Sequence, residues 1–242
     1  SSDVCSSDLA QLSQGKGFDD SMEISEPMNV IYQTAEDGLA DTIKPRLLSA
    51  NADCSKIKVI DDTEKSLYMD DERLEIAIRE QNAKLLILDP LQAYLGDRVD
   101  MNRANEAREM TKKLSAMAER TGCAVILVGH MNKGSGAKAA YRGIGSIDFF
   151  AIARSVLLVG RVPNDSSIRA IVQIKNNLEK EGETMAFRLS DSGFQWLGES
   201  DISADELLSG CSSTDKHKTA VEFLQNVLSD GKEVPEIGRA HV

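Results

Sequence analysis

Lys84-Leu85-Leu86-Ile87-Leu88-Asp89-Pro90 is the stretch on which the fold of this chain turns. Four consecutive apolar residues run straight into an aspartate. A short run that is apolar on both faces and rich in branched side chains predicts a strand buried within a parallel sheet. An aspartate closing such a strand sits at the carboxyl edge of the sheet, where open α/β folds bind ligands. Asp-Pro is also an ordinary turn opener, so a core strand that simply ends in a turn fits the same letters. Both readings stand on this stretch alone.

Composition narrows the class. A chain of 242 residues can build one α/β domain of roughly 200 residues plus a small extra piece. Hydrophobic residues make up 41% and aromatic residues only 5%, which predicts a core of Ile, Leu, Val, Ala and Met. The net charge of -11 argues against a protein that coats polyphosphate in general. It leaves room for nucleic-acid contact through a local basic loop or a ring lumen. Cys5, Cys54, Cys123 and Cys211 are widely spaced with no CxxC pair, as expected of reduced thiols in a cytoplasmic protein. No apolar run approaches the roughly 18 residues of a membrane span, and no signal peptide is evident. No membrane partner is expected.

The two ends have a character of their own. Residues 3–9 and 237–242 look like translations of one sequencing-library adapter, in the forward sense at one end and the reverse complement at the other. The expectation is that residues 1–9 and 237–242 are non-native, so both are set aside in reading the fold.

Along the chain, residues 10–14 read as the tail of a helix ended by Gly15-Lys16-Gly17. Gly15-Lys16 is not a phosphate-binding loop: position 10 is Ala where that motif has Gly, and Gly17 stands where it has Ser or Thr. Residues 29–34 predict a strand, 39–50 a helix and 57–60 a short strand. The acidic region around Asp61, Asp62, Asp70, Asp71 and Glu72 reads as a solvated loop rather than a metal site. Residues 71–82 predict a helix with Leu74, Ile76, Ala77 and Ile78 inward. Residues 103–121 predict an amphipathic helix with Ala107, Met110, Leu114, Met117 and Ala118 on one face, capped by Gly122. Residues 123–130 form another apolar strand with a polar end. Residues 131–145 read as a loop, 146–153 as a short helix, 155–161 and 169–175 as antiparallel strands, and 185–189 with 193–197 as a closing hairpin. Residues 200–213 read as a polar linker, and 216–228 as an amphipathic helix.

Three of these strands end in polar residues, Glu36, Asp89 and His130. If the strands are parallel, the three side chains converge on one crevice. Two carboxylates and an imidazole there suit phosphoryl transfer: one acid holds Mg²⁺ through water, another orients the attacking water, and the imidazole senses the transferred phosphate. Each residue also has a plainer reading. Glu36 suits the start of a helix, Asp89 a turn, and His130 a hydrogen-bonded sheet edge.

The ordered set Tyr32-Gln33-Thr34-Ala35-Glu36-Asp37, Leu86-Ile87-Leu88-Asp89-Pro90, Val128-Gly129-His130-Met131-Asn132-Lys133, Arg142-Gly143 and Ile174-Lys175-Asn176-Asn177 resembles the RecA-like ATPase superfamily. It is most similar to the RepA-type hexameric helicase branch of plasmids, phages and other mobile elements. The resemblance covers about residues 10–197. It implies an α/β fold with a mostly parallel sheet flanked by helices, antiparallel strands on the C-terminal side and a truncated C-terminal helical piece. It implies ATP and Mg²⁺ as cofactors, single-stranded DNA as partner and self-association into a hexameric ring.

By the same resemblance, Glu36 is the base that polarises water, Asp89 the carboxylate near Mg²⁺, and His130 the sensor of the γ-phosphate. Residues 131–141 face a central pore, with Lys133 and Lys138 on DNA phosphates. Arg142 is an arginine finger for the neighbouring subunit, and Lys175 a second trans-acting cation. Arg142 read alone is equally a surface charge. The chain departs from the family in having no GxxxxGK[ST] loop, which in the family precedes the helix ending at Gln14, and in lacking the strand that leads into it. The implied division is a core over 10–198, a linker over 199–213 and the start of a winged-helix-like module over 214–236; a lone helix packed back on the core fits that last segment too. Three other readings remain: a RecA-like recombination or repair ATPase, a non-catalytic DNA-binding regulator, and an unrelated flavodoxin-like domain.

Overall fold

The computed structural model describes residues 2–16, 26–96, 104–130, 147–163, 165–190 and 193–209. The first half is a layered α/β unit. Helix α1 (Ser2–Gln14) leads to β1 (Asn29–Thr34), α2 (Lys44–Ser49), β2 (Ile57–Lys58), α3 (Glu72–Gln81), β3 (Ala83–Asp89), α4 (Ala104–Thr121) and β4 (Ala124–Leu127). These four strands form a parallel sheet in the order β2-β1-β3-β4. The second half runs α5 (Ile147–Ile152), β5 (Ser155–Val162), β6 (Asp165–Asn176), β7 (Thr184–Ser190), β8 (Gly193–Ser200) and α6 (Ala204–Ser209). Its strands form an antiparallel sheet in sequence order. The mostly parallel sheet flanked by helices, with antiparallel strands after it, is the fold class the sequence implies.

The opening stretch is a strand buried between two neighbours. Strand β3 pairs with β1 on one side and β4 on the other, which is why it reads as an unbroken apolar run. Leu86 and Leu88 face α3 and α4, in a core with Leu74, Ile78, Met110, Leu114 and Met117. Leu85 and Ile87 face the opposite layer, with Leu9, Val30, Tyr32, Ile43 and Leu47. Each fully buried leucine contributes about 2 kcal/mol from apolar area alone. By contrast β4 has no partner on its far edge among the described residues, and Ile126 is 46% exposed.

The helix ends follow local chemistry. Gly15 ends α1 with a φ of +70°, a conformation that favours glycine. Asp71 caps α3, its side chain accepting a hydrogen bond from the Arg73 amide at 3.0 Å. Glu75 of α3 binds Arg79 at 2.7 Å and Arg120 of α4 at 2.6 Å, pinning the two helices at their surface. In the antiparallel sheet, fully buried Phe187 stacks on Phe194 at 5.1 Å and meets the edge of Trp196 at 5.9 Å. Among the described residues, no helix is long and apolar enough to cross a membrane.

Four local expectations are corrected. The helix expected over residues 39–50 is a π-helical turn, Leu39–Ile43, followed by α2. The strand expected over 57–60 pairs through Ile57 and Lys58 only. Beyond them the Gln33 side chain takes over, donating to the Ile60 carbonyl at 3.1 Å and accepting from its amide at 2.7 Å. Ile76 points out and is 52% exposed, because it lies two residues from both Leu74 and Ile78 on the helix. The stretch read as a polar linker carries the end of β8 and all of α6, whose Leu207 and Leu208 are buried against Leu158 and Ala170.

Candidate functional site

The parallel strands bring three of the expected residues to one edge. Thr34, the last residue of β1, is in register with Asp89, the last of β3. Val128 donates to the Leu88 carbonyl at 3.0 Å and accepts from the Leu91 amide at 2.7 Å, which holds the chain after β4 alongside β3. Glu36 and His130 each lie two residues past those points. His130 Nε2 is 3.0 Å from Glu36 Oε2, and both side chains are about half exposed. Glu36 and His130 thus lie half exposed at the carboxyl edge of the sheet, with Asp89 buried at the end of the strand between them.

Asp89 is 4% exposed. Burial pushes its carboxyl above the usual carboxylate range, and the charge of Glu36 adds to that. A hydrogen bond from the Tyr32 hydroxyl to Oδ2, at 3.2 Å, opposes the shift, as does His130. The peptide bond from Asp89 to Pro90 is cis. The turn bearing Glu36 is braced by a 3.0 Å salt bridge between Asp37 and Arg46 of α2, and the Ala35 amide donates to the Asp89 carbonyl at 3.0 Å.

Among the described residues no group of three or more His, Cys, Asp or Glu side chains is placed to hold a metal ion. A buried carboxylate with a second acid nearby and no ion pair among the described residues does fit a divalent cation, one that brings most of its ligands as water and phosphate oxygen.

Lys175 lies elsewhere. Its ammonium donates to the carbonyls of Phe150 and Ala151 at 2.8 and 2.7 Å, and sits 5.4 Å from the centre of the Phe150 ring. It therefore caps the C-terminal end of α5. Arg142, Lys133 and Lys138 lie outside the described residues.

Tyr32 is the residue that sequence reasoning passed over. In a strand of apolar neighbours it reads as one more core side chain, and its hydroxyl finds its partner 57 residues away. The available signal was position: it lies on the strand bearing Glu36 and shares a sheet face with the end of β3. Tyr94, just after that strand, is a second buried tyrosine, and its hydroxyl has no hydrogen-bond partner among the described residues.

The crystal structure of the RadB recombinase is similar at 17% identity and a TM-score of 0.46, covering 69% of this chain and 78% of that one. No curated protein matches. A family model described as an AAA domain matches residues 3–136, a span that takes in Glu36, Asp89 and His130. That span is more than half of the chain, and the chain belongs to the AAA domain family.

Proposed function

We propose that this chain is part of a DNA-dependent, ATP-hydrolysing RecA-like motor, a replicative helicase of the RepA type carried by a plasmid, phage or other mobile element. The observation that supports it best is the convergence of Glu36, Asp89 and His130 at the carboxyl edge of one parallel sheet. In that reading Glu36 polarises the attacking water, and Asp89 holds the Mg²⁺ of the nucleotide through water. His130, already in contact with Glu36, relays the state of the γ-phosphate to the chain that follows β4. Arg142 and Lys175 serve a neighbouring subunit of a hexameric ring, and Lys133 and Lys138 meet single-stranded DNA. A strand added beside the open edge of β4 would extend the parallel sheet.

This chain has no GxxxxGK[ST] loop, so it is expected not to turn over ATP by itself. ATP hydrolysis by the purified chain, lost on Asp89→Ala, would overturn that expectation. The function is tested on the full-length parent. DNA-stimulated ATP hydrolysis lost on Glu36→Gln, together with strand displacement, supports the helicase. Hydrolysis without displacement supports a recombination or repair ATPase instead. DNA binding with no hydrolysis supports a regulator that uses the fold as a platform.

A further inference from the structure

Asp89 is a buried carboxylate that makes no salt bridge among the described residues. Such a group is held in place only if its oxygens are individually engaged. One of them is. Tyr32 and Ile87 are in register across the parallel ladder, as are Thr34 and Asp89, so Tyr32 reaches diagonally along the sheet face to Oδ2. The other oxygen, Oδ1, has no hydrogen-bond partner among the described residues.

The ring of Tyr32 leaves the hydroxyl little freedom. It is 2% exposed and packed with Val30, Ile87 and Leu9 between the sheet and α1. A phenol is also a suitable anchor electrostatically. An arginine or lysine in its place would neutralise Asp89 and compete with any incoming cation; a tyrosine fixes the carboxylate and leaves its charge in place.

We infer that Tyr32 is a positioning residue for Asp89: its hydroxyl engages Oδ2 and so reserves Oδ1 for a divalent cation or the water bound to it. This rests on the reading of Asp89 as the carboxylate that serves Mg²⁺. Residues that orient a metal-facing carboxylate without touching the metal commonly govern its affinity.

The test uses the intact chain labelled with 3-fluorotyrosine. Its four tyrosines, Tyr32, Tyr68, Tyr94 and Tyr141, are assigned by single Tyr→Phe variants. Tyr94 is the reporter, since it is buried in the turn Leu91–Tyr94 that directly follows the strand ending at Asp89. Mn²⁺ is the probe, because its unpaired electrons broaden a nearby fluorine resonance even at low occupancy. In the unmodified chain Mn²⁺ is expected to broaden the Tyr94 resonance, and Asp89→Asn to abolish this. Tyr32→Phe keeps the packed ring and is expected to raise the Mn²⁺ concentration needed by about tenfold. Asp89→Asn is also expected to shift the Tyr32 fluorine resonance without added metal, which does not depend on how Tyr32→Phe folds. Unchanged broadening in Tyr32→Phe with loss in Asp89→Asn overturns the role of Tyr32 and leaves that of Asp89 intact. Broadening that survives Asp89→Asn overturns the reading of Asp89, and the inference with it. A Tyr32 resonance indifferent to Asp89→Asn overturns the contact itself.

Discussion

His130 Nε2 stands 3.0 Å from Glu36 Oε2, joining the two strands that flank β3 across 94 residues of sequence. Which partner carries the proton depends on the imidazole tautomer. A carboxylate within reach of Nε2 favours the tautomer protonated there. Long-range ¹H–¹⁵N correlation of the His130 ring is expected to show that tautomer, and Glu36→Gln to shift its nitrogen resonances. Because both side chains are half exposed, the same substitution should change stability by no more than about 0.5–1 kcal/mol. Ring resonances unmoved by Glu36→Gln would mean that the pair does not form in solution.

The central and edge strands of the parallel sheet should respond unequally to truncation. Leu86 is fully buried on β3, so Leu86→Ala removes both transfer energy and packing, with a cost of about 3 kcal/mol. Ile126 on β4 is largely open to solvent, so Ile126→Ala should cost about 0.5 kcal/mol or less. Urea denaturation of the two variants checks the ordering, and equal losses would contradict the placement of β3 between β1 and β4.

These two strands also mark what could be read in advance. The run 84–90 was legible because a strand buried on both faces has no alternative to continuous apolarity. The convergence of Glu36, Asp89 and His130 was legible because parallel strands place their carboxyl ends together, so it needed only that one assumption. Tyr32 was not legible, since its role depends on the register of β1 against β3, and register is not written in either strand by itself. Ile60 was over-read for a related reason: its backbone is paired by the Gln33 amide, a side chain acting where a strand was expected. Helix α6 was missed because two leucines in an acidic stretch are too few to display a helical period.

Glu75 supplies a pH dependence with a definite sign. Hydrogen bonds from Arg120 and Arg79 hold its carboxyl down at about 2, against an ordinary value of 4.5. A depressed acid contributes stability that is complete above its unfolded value and is lost as pH falls through its folded one. Melting temperatures of the parent chain and Glu75→Gln should therefore differ above about pH 4.5 and converge as pH approaches 2. Added salt should narrow the gap at neutral pH, because the pair is on the surface. A gap that widens on acidification would contradict the α3–α4 bridge.

Asp8 should behave in the opposite sense. Burial pushes its carboxyl up to about 7 from an ordinary 3.8. The folded state then holds a proton that the unfolded chain has released, so stability falls as pH rises from about 4 to 7. Asp8→Asn removes that penalty. It is expected to raise the melting temperature at pH 8 and leave it unchanged at pH 3.5. A variant no more stable than the parent at pH 8 would place Asp8 in water rather than against the sheets.

Lys175 is expected to matter to this chain before any neighbouring subunit is present. Its ammonium meets the carbonyls of Phe150 and Ala151, oxygens that the last turn of a helix leaves without intrahelical partners. The negative end of the helix dipole and the face of the Phe150 ring both favour a cation there. Lys175→Met keeps the aliphatic stem and removes the charge, and should cost about 1–2 kcal/mol in urea denaturation. The effect should be local. The Ala153 amide, which donates to Phe149 at 3.1 Å, is expected to exchange faster in the variant, while amides of β3 keep their protection at matched global stability. Unchanged exchange at Ala153 would mean that the cap does not hold α5. Lys175 would then be free to act in trans without first giving up a bond, whereas the observed contacts make any such role a competition between the end of α5 and an incoming phosphate.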